Sequence, residues 1–173
     1  MKKRELEARP SLSQTLDFDG DDLAANRDGY LTIRQRAVLN SERAFWHSYR
    51  LVIFVILPIA IIAAIWDGIR IHDTVASRCG IVIFELVVAS ILNAYAQRNW
   101  KQVNEDLLKG DVLSSYGEIV FVGYRRGRKY VISVGKVQFR ISRWVYQSFE
   151  PGSEYCVYYT PFSKRLLSAE FGK

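Results

Sequence analysis

The sequence predicts an α+β membrane protein: a two-helix transmembrane hairpin carrying a C-terminal, small, all-β, barrel-like domain. Three observations lead there. Two strongly apolar runs, at about residues 50–66 and 80–97, are separated by a short polar connection. After residue 110 the pattern changes to period-two alternation. The formal charge of +6 is also unevenly spread. Lys and Arg number 8 against 8 acids in residues 1–46, 6 against 5 in 47–109, and 10 against 5 in 110–173.

In chain order, residues 1–31 are predicted to be a disordered polar segment, with an acidic patch at Asp17, Asp19, Asp21 and Asp22. Lys2, Lys3 and Arg4 are followed by Glu5 and Pro10 and not by an apolar core, so a cleaved leader is not expected. Asn26-Arg27-Asp28-Gly29-Tyr30-Leu31-Thr32 is similar to the middle of an EF-hand loop. Ala24 and Gln35, however, stand where the outer ligands belong. The simpler reading is a turn at Asp28-Gly29, then a helix capped by Thr32 with Gln35 closing a capping box. That helix, residues 32–47, is amphipathic and basic through Arg34, Arg36 and Arg43. It suits either an anionic headgroup layer or packing on the C-terminal domain.

The hairpin occupies residues 48–98. Leu51–Trp66 holds no charge, and its sixteen residues rise about 24 Å, short of a ~30 Å hydrocarbon core. Arg50 can snorkel at one end and Trp66 marks the interface at the other. Pro58 predicts a kink in mid-span. The second span, Gly80–Gln97, contains one acid, Glu85, and a polar juxtamembrane helix, residues 99–110, ends at Gly110. Basic residues flank the outer ends of both spans. The connection between them has only Arg70 and Arg78 beside Asp67 and Asp73. This bias predicts a two-span cell-membrane protein with both termini cytoplasmic. A hairpin that dips in without crossing is the competing reading.

Residues 111–173 read as five or six strands: 117–124, 129–134, 136–142, 144–149, 155–160 and 166–171. Turns fall at Arg125-Arg126-Gly127-Arg128, Gly135-Lys136 and Glu150-Pro151-Gly152-Ser153. So many short strands favour a closed or nearly closed barrel, which hides its edges.

Two sets of residues are candidates for function. Glu85 must be protonated, paired or turned toward protein, because an ionised carboxylate in hydrocarbon is costly. Ala89, Leu92, Asn93 and Ala96 fall near its helical face, which marks Glu85 and Asn93, with Pro58 on the other helix, as intramembrane packing residues. The second set is basic: Arg125, Arg126, Arg128, Lys129, Arg140, Arg143, Lys164 and Arg165. Such a group at a cytoplasmic face would be drawn to anionic lipid headgroups. Plain solvated surface charge is the bland reading of the same group, with nucleic acid or a protein partner less favoured.

No nucleophile motif, phosphate loop or metal-binding spacing is present, so neither catalysis nor a cofactor is expected. His47 and His72 lie at opposite ends of the first span. The topological separation of Cys79 and Cys156 argues against a disulfide.

Gly117-Glu118-Ile119, Val134-Gly135, Pro151-Gly152 and Leu166-Leu167-Ser168-Ala169-Glu170 resemble the C-terminal domain of NfeD-type membrane proteins. The resemblance covers about the last third of the chain. It implies an OB-like barrel on a membrane hairpin and a scaffold near a membrane complex.

Together these readings predict a non-enzymatic membrane-anchored adaptor. It would engage the bilayer, with a membrane-protein partner or a second copy as further contacts. The alternative is an accessory subunit of an ion- or proton-coupled complex that uses Glu85.

Overall fold

The computed structural model describes residues 11–70, 75–125 and 129–172. The chain divides into two compact units. One combines the N-terminal segment through Ala37 with Leu108 onward; the other is Val38–Leu107.

The N-terminal segment is ordered from residue 11, contrary to the disorder expected of it. Helix α1, Leu12–Leu16, is capped by the Ser11 side chain, and Asp17 ends it in the left-handed region at φ 54°. Helix α2, Gly20–Arg27, begins with a capping box between Asp19 and Asp22. The acidic patch therefore has a structural reason: Asp21 and Asp22 sit in the first turn, where the helix dipole favours negative charge, and Arg27 sits in the last.

Gly29, at φ 86°, turns the chain into a short antiparallel clasp. Tyr30 bridges Asp111, Leu31 N donates to Gly110 O at 3.2 Å, and Val112 N donates to Gly29 O at 2.9 Å. Helix α3 then starts with the capping box read from sequence: Gln35 N donates to Thr32 Oγ1 and Thr32 N to Gln35 Oε1.

The long helices differ from the predicted division. Residues 32–47 and the first span form one helix, α3, Ile33–Arg70, which continues through Pro58. The second span and the juxtamembrane helix likewise merge into α4, Val75–Lys109. No breaker separates the basic and apolar parts of either, so helix propensity carries across the polarity change. Gly110, at φ 70°, ends α4. Within the second unit α3 and α4 pair antiparallel. Arg43 donates to Asn104 at 3.3 Å, Arg50 Nε donates to Asn93 Oδ1 at 3.4 Å, and Trp46 meets Tyr95 edge to face.

The C-terminal half is a curled five-stranded antiparallel sheet. Its strands are β1 Leu113–Arg125, β2 Lys129–Val134, β3 Val137–Ile141, β4 Glu154–Tyr159 and β5 Leu166–Phe171, in the order β3-β2-β1-β4-β5. It is a half-barrel, in keeping with the barrel-like domain expected but not closed, because β3 and β5 remain edges. Strand β1 serves both halves: residues 113–118 pair with β4 and residues 119–125 with β2. The bend lies at Gly117, where a Cβ would come within 2.9 Å of Gly135 N. Two glycines let the β2–β3 turn touch the β1 backbone.

The segment 144–149, expected to be a strand, is helix α5, Arg143–Ser148. Ser142 caps it by accepting from Val145 N at 3.3 Å. Burial of Val145, Ser148 and Phe149 follows helical and not alternating spacing. This helix and α1 fill the open side of the curl. Thr15 and Ser148 hydroxyls are 2.9 Å apart, α1 packs on β5, and α5 packs on β2. The core inside the curl is Ile119, Ile132, Val134, Phe139, Ile141, Phe149, Tyr155, Val157 and Tyr159 with their buried neighbours.

Candidate functional site

Three surfaces can be built from these elements. The first is the helix pair. On α3, Leu51, Val52, Phe54, Val55, Ile56, Ile59, Ile62 and Trp66 are exposed. Among the described residues one helical stretch, 33–63, is long and apolar enough to cross a membrane, and none of its apolar window is buried. On α4, Ile83, Phe84, Leu86, Val87 and Ile91 are exposed, while Ala89 and Ala96 are buried. On α4 the buried positions of this stretch are thus alanines while large aliphatic side chains face out, although Ser90 and Ala94 are exposed too.

Glu85, Asn93 and Pro58 take different places on this pair. Asn93 accepts the Arg50 hydrogen bond, which gives that arginine a partner on the neighbouring helix. Glu85 is half-buried, and its Oε2 has no hydrogen-bond partner among the described residues. Pro58 is exposed.

The second surface is polar and lies on the outside of β1–β4–β5 under α2. Register places Tyr116, Cys156 and Glu170 in one row across the three strands, and Ser114, Tyr158 and Ser168 in the next. Glu170 accepts from Tyr158 Oη at 2.7 Å and from both ends of the Arg27 guanidinium, while Asn26 Nδ2 donates to Ser168 Oγ at 2.7 Å. Tyr116 Oη bonds Glu154. The Tyr158 phenol is pushed well above its ordinary range by burial, then by Cys156 and Glu170. Tyr116 is raised by its bond to Glu154. Both phenols are therefore fixed hydrogen-bond donors and not bases, and the row fastens α2 to the sheet. Cys156 is a half-buried free thiol. Among the described residues no three His, Cys, Asp or Glu side chains converge as a metal ion requires.

A related tie holds α2 to the start of α3. Asp22 is buried and receives Thr32 Oγ1 and the Arg34 guanidinium, whose Nη2 also reaches Asp17 O at 2.6 Å. Burial pushes the Asp22 carboxyl up, but the bonds from Thr32 and Arg34 outweigh it and leave the group below its ordinary value. The sequence reading missed this hub. Its only signal was an acidic N-cap run placed twelve residues ahead of an arginine at a second N-cap.

The third surface is the outer face of β1–β2–β3. Val120 and Val122 on β1 are each 52% exposed, and Val131 on β2 is half-buried beside exposed Arg140 on β3. Exposed Arg143 opens α5, and Trp144 next to it is 69% exposed. Trp144, read as the start of a strand, is instead in the first turn of α5.

Of the basic residues predicted to act as one group, Arg140 lies on β3 and Arg143 opens α5, while exposed Lys164, at φ 52°, and half-buried Arg165 lie in the β4–β5 turn. That turn is tied locally: Arg165 N donates to Thr160 Oγ1 at 3.0 Å. Arg126, Arg128 and His72, and the side chains of Arg125, Lys129 and Cys79, lie outside the described residues.

Comparison with known proteins adds no relative: no family model, no curated protein and no solved structure matches the chain.

Proposed function

We propose that this chain is a non-enzymatic, membrane-anchored adaptor. In this reading α3 and α4 cross the cell membrane as a hairpin, both termini lie in the cytoplasm, and the β unit is tethered at the inner face by its continuity with both helices. The observation that carries the proposal is the run of exposed aliphatic and aromatic side chains on α3 from Leu51 to Trp66. At ~25 cal/mol per Å² of apolar surface, leaving these side chains in water costs on the order of ten kcal/mol or more. Lipid removes that cost. The arrangement on α4, with buried alanines and exposed aliphatic side chains, supports the same placement.

The orientation rests on Arg34, Arg36, Arg43 and Arg50 before the first span and Arg98, Lys101 and Lys109 after the second. The test uses membranes from cells expressing the full chain. The protein should resist carbonate extraction, and, with Cys79 and Cys156 replaced by alanine, a cysteine placed at exposed Glu150 should react with an impermeant maleimide only after the cells are opened. Release by carbonate, or labelling on intact cells, would overturn the anchor or its orientation respectively.

A second reading is an accessory subunit of an ion- or proton-coupled complex. One observation favours it: the Glu85 carboxylate, set against the small-residue face of α4, has an oxygen that is buried and without a hydrogen bond. Glu85→Gln separates the two. It changes flux through the complex under the second reading and leaves flux unchanged under the first.

A further inference from the structure

We infer that the outer face of β1–β2–β3 docks on the anionic phospholipid headgroups of the bilayer that holds α3 and α4. The inference rests on the membrane anchor proposed above and names the surface and the ligand chemistry. The outer face of the same sheet at β5 is covered by α2, whose Arg27 and Asn26 bond Glu170 and Ser168 there. Over β1, β2 and β3 no described element plays that part, and Val120 and Val122 stand half out to solvent.

Three features fix the partner. The face is amphipathic: valines at its centre, Arg140 opposite Val131, and Gln138 opposite Ser133. Its described side chains along Val120–Val122, Val131–Ser133 and Gln138–Arg140 include no acid, and exposed Lys136 and Arg143 flank β3 on either side. Exposed Glu118, two residues before Val120, shares this face at the end where β1 passes to β4, and Glu154 and Glu170 lie on β4 and β5. A mainly cationic rim around aliphatic side chains complements phosphate and serine headgroups above acyl chains.

Trp144, exposed just past the β3 edge on α5, which packs on the core side of the sheet, is the residue type that partitions best to the bilayer interface, since indole has an apolar body and one donor. Finally, the unit is joined covalently to the anchoring helices at both of its crossings, at residues 33 and 109. The headgroups are thus the partner present at the highest local concentration. A nucleic acid would use the arginines and leave the valines in water. A protein partner must compete with a tethered surface.

The experiment uses the full chain with Cys79 and Cys156 replaced by alanine, reconstituted in nanodiscs. A nitroxide is placed at Val122→Cys or, as control, at Glu150→Cys. In discs containing phosphatidylserine the Val122 label should lose access to an aqueous nickel reagent and gain access to oxygen. In phosphatidylcholine discs, and in high salt, it should return to water. The Glu150 label should stay aqueous throughout. Replacing Arg140 and Arg143 together by glutamine should weaken docking roughly 25-fold, about fivefold for each charge. Replacement by lysine should retain it, and keeps the test decisive if the glutamine pair misfolds.

A Val122 label that stays water-accessible in phosphatidylserine discs overturns the inference while leaving the anchor intact. Shielding that is equal in phosphatidylcholine and indifferent to salt also overturns it, and assigns the face to a protein surface. Failure of the chain to enter discs at all removes the anchor itself.

Discussion

Gly117→Ala tests the joint on which the sheet's curl depends. A Cβ at residue 117 would lie 2.9 Å from Gly135 N and 3.2 Å from Gly135 Cα. Both are backbone atoms in a tight turn, where Gly135 itself sits at φ 58° and would bring its own Cβ within 2.9 Å of Tyr116 O. Neither can rotate away as a side chain could. Overpacking of this kind costs about 1–3 kcal/mol, and the backbone at φ 154° adds roughly 1 kcal/mol for a residue with a Cβ. The expected loss is therefore about 2–4 kcal/mol. For a folded unit of this size that lowers Tm by roughly 10–25 °C. Near-ultraviolet circular dichroism of the full chain in detergent follows the transition through the sheet's tyrosines. Gly20→Ala is the control: nothing lies within 4 Å of its Cβ position, and it opens α2, so the change should be neutral or slightly stabilising. An unaltered melting curve for Gly117→Ala would refute the argument. So would equal damage from Gly20→Ala, since the loss would then not come from the Gly117–Gly135 approach.

Asp22→Asn should loosen α2 from the start of α3 by about 1–2 kcal/mol, after allowing for solvent screening at half-exposed Arg34. Because the folded carboxyl lies below its unfolded value of 3.8, its stabilisation is complete above that value and is lost as pH falls below it. Urea midpoints from neutral pH into this acid range should therefore fall for the native chain and fall less for the variant. Tyr158→Phe should remove a phenol that ionises above the ordinary tyrosine range in a spectrophotometric titration. Its raised folded value makes its contribution complete below about 10 and lost as pH climbs above. Ser142→Ala removes the α5 cap and should cost about 1 kcal/mol, read as a lower urea midpoint with an unchanged slope.

Much of the β unit was legible because strands report themselves by alternation. Lys129–Val134 and Leu166–Phe171 fall where the pattern put them, and Val137, Phe139 and Ile141 point into the core side as read. The Thr32–Gln35 box was legible for a similar reason: local chemistry, three residues apart, decides it. What could not be read depends on distant partners. Residues 143–148 carry aromatic and β-branched side chains that favour a strand. Yet the open side of the curl needs a plug, and Ser142 supplies a cap, so tertiary packing overrides propensity. Residues 11–27 looked unfoldable by composition. Their order comes from Leu12 and Leu16 packing on a core built more than a hundred residues later, and from Asn26 and Arg27 bonding β5.

The pairing of residues 29–31 with 110–112 means that the polypeptide leaves the β unit and re-enters it through a single doorway. Antiparallel partners there are about 5 Å apart, so everything from Ile33 to Lys109 is an excursion with almost coincident endpoints. During synthesis the first pieces of the unit, α1 and α2, must wait for nearly the whole chain before β5 exists to receive them, while both long helices emerge in the interval. The same doorway makes the excursion removable. Joining Leu31 to Gly110 through a short glycine-rich turn spans no more than the bridge already spans. The shortened chain should then retain the hydrogen bonds of α2 to β5 without either long helix.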